Sequence, residues 1–314
     1  MANSLFIKAD EVAELLGVSR AEAYRIIKRL NDQLSSRGFI VVNHQELSSA
    51  RCLRTKWQCD PVQNESRSSR HGGTMIYYTG DIHGSAFELQ AFCRKMELTS
   101  DDIIVLLGDV GTNYYGNERD QRFKQALNYL GPTLLCVHGN HEQRPNTFSS
   151  YQEKTWRGGV VWFEEAYPNL LFPKDGEIFS LAGLKHLVIG GAYSVDKFYR
   201  ISRGYGWWPD EQPSEEIKAY VENQVASHTI DVVLSHTCPY KYEPTEVFLP
   251  FIDQSTVDAS TEQWLDKIED ALDYKAWFCG HWHVNKRIDK MHFLFHDFES
   301  ADQFTNDEPE AKQT

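Results

Sequence analysis

The sequence lacks the features of membrane-spanning, secreted and disulfide-stabilised proteins. No apolar run approaches the length needed to cross a bilayer, and the N-terminus has no signal-peptide pattern, so we expect a cytoplasmic protein. The six cysteines are scattered without a C-x-x-C pair, which argues against a disulfide framework or a cysteine metal site and predicts reduced thiols. No internal repeat or long low-complexity tract is present, which argues against a repeat architecture.

Positive charge is also scarce, and it is unevenly distributed. Residues 1–74 carry 11 Lys and Arg against 8 Asp and Glu, a net charge of +3. The rest carries 21 against 37, a net charge of −16, within an overall charge of −13. An acidic body repels polyanions unless metal ions or a local basic patch intervene, whereas the slightly basic front piece tolerates nucleic acid. Hydrophobic residues make up 41% of the chain, which is enough for a folded core.

Residues 1–46 have the pattern of two short helices. In the stretch "ADEVAELLGVSRAEAYRIIKRL" (9–30), apolar residues recur at helical spacing on both sides of Gly17, and Ser19 with Glu22 forms a capping box. The pattern resembles the helix-turn-helix of small bacterial DNA-binding domains. A plain helical hairpin remains the alternative, and DNA binding by residues 1–45 is the less favoured interpretation, because their basic excess is small.

Residues 47–74 show no sustained periodicity and are rich in Ser and Arg. We interpret them as a disordered linker. The two adjacent glycine codons of Gly72 and Gly73, just before Met75, can encode a purine-rich ribosome-binding sequence. This leads to the hypothesis that Met75 is a real or ancestral start and that residues 1–74 are a fused neighbouring fragment.

From Met75 onward, buried-strand patterns alternate with helical ones. The apolar runs end in Gly, Asp, Asn or His, and they read "MIYYTGD", "DDIIVLLGD", "TLLCVHGNH", "LKHLVIGGA", "DVVLSHT" and "AWFCGHWH". Two intervening stretches, "SAFELQAFCRKM" and "ERDQRFKQALNYL", have helical spacing. This alternation predicts an α/β fold with helices on both faces and a site at the carboxyl ends of the strands. Residues 301–314 are acidic and polar, which predicts a flexible tail.

Polar side chains at the predicted strand ends form the candidate site. They are Asp81, His83, Asp109, Asn140, His141, Glu142, His236, His281 and His283. Carboxylate, imidazole and amide-oxygen ligands together suit divalent or trivalent metal ions. Asp81 and His83 are separated by one residue, as are His281 and His283. This spacing places both side chains of a pair on one face of an extended chain end. Each motif alone is weak, but five of them at strand ends in a fixed order are hard to produce by chance.

The series "GDIHG", "GDVGTN", "GNHE", "SH" and "GHWH" resembles the calcineurin-like metallophosphoesterase superfamily over about residues 75–300. The resemblance implies a β-sandwich flanked by helices and a site for two divalent or mixed-valence metal ions. These ligands accept Mn, Fe, Zn, Ni or Co. The resemblance assigns the first ion to Asp81, His83, Asp109 and His283. It assigns the second ion to Asp109, Asn140, His236 and His281.

The resemblance also implies a reaction, the hydrolysis of a phosphate monoester or diester by a hydroxide that bridges the two ions. Asp109 and His141 are the expected catalytic residues. Both ions share Asp109, and His141 acts as a general acid or as a donor to the phosphate. Glu142 is expected to orient the loop or His141 from behind.

Two departures from the family pattern keep the substrate class open. Many members read G-D-x-x-D at the second motif, whereas this sequence reads "GDVGTN", and the arginines that clamp phosphate in protein phosphatases are missing from these motifs. Arg144, just after the third motif, either supplies positive charge or is a solvated loop residue. Arg200 lies in a long insert, residues 190–214, which we interpret as a wall of the substrate site. Residues 237–251 are expected to form the opposite rim.

Three other functions stay open at this point. A nuclease requires a basic groove, which the acidic body makes less attractive. A regulator would bind DNA through residues 1–45 and use the metal domain as a sensor. A metal-binding scaffold without activity has no need of His141, so the presence of His141 argues against it.

Overall fold

The computed structural model describes residues 73–250 and 252–304. The predicted helix-turn-helix segment lies outside the described residues, as do most of the linker and the last ten residues. Those interpretations stay predictions, including the one that places a start at Met75.

Thirteen strands and five α-helices form in the described residues. The strands are β1 (Ile76–Thr79), β2 (Ile103–Leu106), β3 (Thr133–Cys136), β4 (Gln152–Trp156), β5 (Gly159–Phe163), β6 (Leu170–Pro173), β7 (Ile178–Leu181), β8 (Leu184–Ile189), β9 (Val232–Ser235), β10 (Ala276–Cys279), β11 (Lys286–Ile288), β12 (Met291–Phe293) and β13 (Glu299–Ser300). The helices are α1 (Phe87–Lys95), α2 (Glu118–Asn128), α3 (Lys197–Arg203), α4 (Glu215–Ser227) and α5 (Ser260–Asp270).

The strands build two mixed sheets. The first has the order β13-β1-β2-β3-β6-β5-β4, and the second has the order β11-β12-β10-β9-β8-β7. In the first sheet β1, β2, β3 and β6 run parallel, and the antiparallel strands lie at its margins. In the second sheet β12, β10, β9 and β8 run parallel. Parallel strands end at the same edge of a sheet, so each sheet gathers its strand-end loops at one edge.

The two sheets pack face to face, and helices cover their outer faces. Successive side chains of a strand point to opposite faces, and the buried residues follow that rule. In β1, Tyr78 faces the core between the sheets, whereas Tyr77 packs with Leu89 of α1. In β10, Phe278 faces the same inner core, whereas Trp277 packs with Leu265 of α5. The result is a four-layer sandwich, and both faces of the central strands are buried.

The structure confirms the predicted sandwich, the six predicted strands and the two predicted helices in the described residues. The insert 190–214 was expected to be rich in loops, and it also contains α3. Ala301–Phe304 form a 3-10 turn, and Phe304 packs edge-on against Phe278 in the inner core. Cys93, Cys136, Cys238 and Cys279 are free, as predicted, and all four are buried, whereas Cys52 and Cys59 lie outside the described residues. No described helix is long and apolar enough to cross a membrane.

One buried carboxyl group on α5 makes the stability of the fold depend on pH. Glu262 is 4% exposed, and its Oε2 atom has no hydrogen-bond partner. Burial raises the pKa of Glu262 to about 7 from an ordinary value of 4.5. Between these two pH values the unfolded carboxyl is ionised while the folded one keeps its proton. The free energy of unfolding therefore falls as the pH rises through this window, by roughly 3 kcal/mol in total.

We predict that Glu262→Gln removes this loss, because an amide does not ionise. The free energy of unfolding of the variant minus that of the unchanged chain should be larger at pH 8 than at pH 5. The increase should be a few kcal/mol at most. Urea unfolding at the two pH values measures the difference. Glu118→Gln is the control, because the Glu118 side chain is 80% exposed and should show no such change. An equal pH dependence in the Glu262 variant and the unchanged chain would refute the prediction.

Candidate active site

The candidate ligands come from the carboxyl ends of parallel strands in both sheets. Asp81 follows β1, Asp109 follows β2 and Asn140 follows β3 in the first sheet. His236 follows β9 and His281 follows β10 in the second sheet. The two sheets therefore present their polar ends to each other, and contacts across this edge join residues as far as 200 positions apart in the chain.

One part of the site joins Asp81, His83 and His283. The Nε2 atoms of His83 and His283 lie 2.9 Å apart. The Oδ2 atom of Asp81 lies 3.2 Å from Nε2 of His283 and 3.7 Å from Nε2 of His83. Asp109 lies alongside, with Oδ2 3.9 Å from Nε2 of His83. These potential ligand atoms of Asp81, His83 and His283 fall within 4.8 Å of one another, which is close enough to hold one metal ion.

The second part joins Asn140, His236 and His281 to Asp109. The Oδ1 atom of Asn140 lies 2.8 Å from Nε2 of His236 and 3.1 Å from Nδ1 of His281. Oδ1 of Asp109 lies 3.6 Å from Nε2 of His236. Asp109 thus lies between the two parts, with one carboxylate oxygen toward each.

The hydrogen bonds around Asn140 and His236 determine which atoms face each other. Nδ1 of His236 lies 2.7 Å from the carbonyl oxygen of Leu107, and a carbonyl only accepts, so this nitrogen carries the ring hydrogen. In the tautomer that has its single hydrogen on Nδ1, Nε2 of His236 is a lone pair. The amide nitrogen of Asn140 donates to Oγ of Ser194 at 2.8 Å, which leaves Oδ1 as an acceptor as well. In that tautomer both atoms are acceptors, and a cation between them, either a proton or a metal ion, makes their 2.8 Å separation favourable.

This donor set fits metal ions. A metal ion between Asn140 and His236 would stabilise that pair, and Oδ2 of Asp81 lies 3.2 Å from Nε2 of His283. The mixture of carboxylate, imidazole and amide oxygen matches the ligands of borderline divalent metals. Burial raises the pKa of Asp109, but the imidazoles of His236, His141 and His83 outweigh it, and its pKa lies below the ordinary value. Burial lowers the pKa of His281 to about 3, which leaves its lone pair free.

Backbone geometry brings the ligands together at a cost in strain. His83, Asp109, His281 and His283 all have positive φ, between 43° and 63°, a region that residues other than glycine seldom adopt. Such strain persists where the surrounding structure enforces it, and it clusters at functional sites. Gly108 has a φ of 102°, and a Cβ atom there would lie 2.1 Å from Nδ1 of His236. This glycine lets the two sheets approach closely enough for the site to form.

His141 and Glu142 lie beside the ligands and have different surroundings. A ring nitrogen of His141 lies within 4.8 Å of the potential ligand atoms of His83 and Asp109. Its backbone N–H donates to Oδ1 of Asp109 at 2.8 Å. Glu142 is buried and accepts backbone N–H groups from Gly139 and Gly111, so it joins the second and third motif loops. Burial and the charge of Asp109 raise the pKa of Glu142 to about 8.

The two candidate arginines differ in what they contact. Arg144 pairs with Oδ2 of Asp175 at 2.6 Å and donates to the carbonyl oxygen of Asp210 at 3.0 Å. Its guanidinium is therefore directed into the surrounding loops, and its role toward substrate stays a prediction. Arg200 lies in α3 and is 2% exposed. One of its nitrogens donates to Oγ of Ser194 at 3.0 Å, and Nε and Nη2 have no hydrogen-bond partner.

Sequence reasoning missed two residues of the insert. Ser194 accepts hydrogen bonds from Asn140 and Arg200, and so links the third motif to α3. Asp196 lies with Oδ1 3.8 Å from Nε2 of His141. Neither residue follows a strand pattern, so only the length of the insert and its polar start, "YSVD", gave a signal. On the other side, Phe248 of the expected rim stacks on Trp282, between His281 and His283.

Comparison with known proteins finds one matching family. The profile described as "Calcineurin-like phosphoesterase" matches residues 74–285. No curated protein matches the chain. Among solved structures, the protein TT1561 of Thermus thermophilus is 14% identical, with 73% of this chain and 98% of that chain covered and a TM-score of 0.42. A phosphopantetheinyl hydrolase from Mycobacterium tuberculosis is 14% identical, with 71% and 88% covered and a TM-score of 0.39.

We predict that Gly108→Ala disrupts the site, because the added methyl group displaces His236. Bound metal and metal-dependent activity should each fall at least about tenfold, the cost of disturbing a group that orients a ligand. Gly183→Ala is the matched control. Gly183 also has a positive φ, of 78°, but nothing lies within 4 Å of the added atom, so only backbone strain of about 1 kcal/mol is expected. Elemental analysis and urea unfolding of both variants measure this. Equal metal loss in both would contradict the prediction.

Proposed function

Because this chain belongs to the calcineurin-like phosphoesterase family and is a phosphoric ester hydrolase, we propose that it cleaves its substrate with two divalent metal ions. The first ion is held by Asp81, His83, Asp109 and His283. The second is held by Asp109, Asn140, His236 and His281. The observation that carries this proposal is the meeting of Oδ1 of Asn140 with Nε2 of His236 at 2.8 Å, beside Asp109 and His281.

Two bound ions supply positive charge for the phosphoryl oxygens and lower the pKa of the attacking water. The protein supplies the rest of the phosphate site. Arg200 has two guanidinium nitrogens without partners, and its Nη1 atom lies 3.5 Å from the carbonyl oxygen of Asn140. A buried guanidinium with unused donors costs free energy, and a phosphate oxygen satisfies those donors. We therefore assign Arg200, with its two unpartnered nitrogens, to the substrate in preference to Arg144, which has only Nη2 unpartnered and whose other donors meet Asp175 and Asp210.

We assign to His141 the transfer of a proton to the leaving oxygen. A leaving oxygen needs a proton when its P–O bond breaks, and an imidazole at hydrogen-bond reach supplies it. His141 is near the ligands, with a ring centroid 5.6 Å from that of His83, and we do not assign it to either ion. Glu142 supports this loop by accepting the backbone N–H of Gly139 and that of Gly111 in the second motif.

A hydrolysis assay on the full chain tests the proposed function. It compares 4-nitrophenyl phosphate with bis(4-nitrophenyl) phosphate, with and without added Mn²⁺. Turnover should require the metal, and Asp109→Ala should reduce it by at least about a thousandfold, because both ions lose a ligand. Asp289→Ala is the control, since Asp289 shares a positive φ with Asp109 but is exposed, in the turn between β11 and β12. Full activity in the Asp109 variant would refute the site assignment.

The same assay separates the substrate classes and the other functions. Preference for the diester indicates a phosphodiesterase, and preference for the monoester indicates a phosphatase. Specific DNA binding by the full chain, lost when residues 1–74 are removed, would favour the regulator instead. In that case the metal domain would bind ions without turning over either ester.

We predict that His141→Asn lowers turnover and leaves metal content unchanged. The variant loses the proton donor, which costs about 100-fold to 10,000-fold in rate, while all seven assigned ligands remain. Steady-state kinetics and elemental analysis of the same preparation measure both quantities. Loss of metal from this variant would instead place His141 among the ligands.

A further inference from the structure

We propose that Asp196 is the positioning residue for His141. It holds the imidazole by accepting a hydrogen bond from Nε2, so that the ring presents its other nitrogen to the leaving oxygen. This inference rests on the proposed function, and it adds a residue from the insert to the hydrolytic site.

The first observation is the location of the carboxylate. Asp196 immediately precedes α3, and its Oδ1 atom lies 3.8 Å from Nε2 of His141. The same oxygen lies 3.7 Å from a guanidinium nitrogen of Arg200. Both distances exceed a hydrogen bond, and such contacts commonly shorten when substrate binds. One carboxylate oxygen therefore faces the two groups assigned to the departing phosphate ester.

The second observation is that this oxygen accepts no hydrogen bond. An aspartate before a helix ordinarily accepts a backbone N–H from the first turn, and Asp196 forms no such side-chain bond. Its Oδ1 atom is buried and has no hydrogen-bond partner. A buried carboxylate oxygen without a donor is costly. An imidazole N–H at Nε2 of His141 would satisfy it.

The third observation is that the neighbouring carboxylates have other partners. Oδ1 of Asp109 accepts the backbone N–H of His141, and Glu142 accepts those of Gly139 and Gly111. The second motif has Thr112 and Asn113 after Asp109, and neither is a carboxylate. Within residues 73–250 and 252–304, only Asp196 places a carboxylate oxygen within 4.0 Å of a ring nitrogen of His141. The insert thus supplies what the motifs do not.

Asp196 would position His141 during the step in which the ester bond breaks. The oxygen of a water molecule bonds to phosphorus, and the P–O bond to the leaving group breaks with its electron pair going to the leaving oxygen. That oxygen takes a proton from His141, and the water releases a proton to solvent, from which His141 is reprotonated. When the ring acts as an acid both nitrogens carry hydrogen, so one N–H can bind Asp196 while the other points to the leaving oxygen.

The test compares Asp196→Asn with the unchanged chain on two esters of the class that the full chain hydrolyses. One ester releases 4-nitrophenolate, which leaves without a proton, and the other releases phenolate, which needs one. We expect kcat for the phenyl ester to fall about tenfold to a hundredfold more than kcat for the nitrophenyl ester. KM and metal content should stay close to those of the unchanged chain. Asp196→Glu should restore part of the phenyl-ester rate.

Asp210→Asn is the matched control, because Asp210 lies in the same insert and its side chain is 46% exposed, against 40% for Asp196. It should leave both esters unaffected. An equal fall for the two esters, or a higher KM with unchanged kcat, would overturn the inference, since the latter would show that Asp196 acts through Arg200. In either case the metal-dependent activity of the unchanged chain would leave the proposed function standing. If the unchanged chain hydrolyses neither ester, the proposed function fails as well.

Discussion

The meeting of polar side chains from two packed sheets is the constraint around which this domain is organised. Oδ1 of Asn140 and Nε2 of His236 face each other at 2.8 Å, and Oδ2 of Asp81 lies 3.2 Å from Nε2 of His283. Each of these contacts needs a proton or another cation between its two atoms. The two packed sheets impose these contacts, because their buried strands fix where each polar end lies. Positive charge from outside the chain is what makes the arrangement favourable, and that is the property expected of a metal-dependent hydrolase.

Hydrogen bonds already hold the candidate ligands and the loops that carry them. The carbonyl oxygen of Leu107 fixes the tautomer of His236, and Ser194 fixes the orientation of the Asn140 amide. Glu142 joins the second and third motif loops through two backbone N–H groups. Ligand groups held by such outer contacts are oriented before the metal arrives, which reduces the entropy lost on binding. By contrast, Arg200 retains unpaired donors, as expected of a group whose partner is the substrate.

The sequence could predict the parts of this structure that depend on burial. The runs of β2 and β10 are apolar throughout because both faces are covered, and a polar residue at the end of such a run marks the site. The hairpin of β4 and β5 was not predicted, because β4 is largely exposed and reads "QEKTW". The sequence does not indicate the positive φ values at His83 and His281, because histidine seldom adopts them. Asp196 was missed because its contact with His141 depends on how the insert folds back.

The long sequence separation across the site bears on how the chain folds. Asp81 follows the first described strand, and its partner His281 lies 200 residues later. Contacts of such separation form late, because the entropy of closing a long loop must be overcome first. A growing or half-folded chain can display Asp81, His83 and Asp109 on the first sheet, but it has no second set of ligands. Under the proposed function, hydrolytic competence is therefore coupled to the last docking step, because an incomplete chain lacks the ligands of the second sheet.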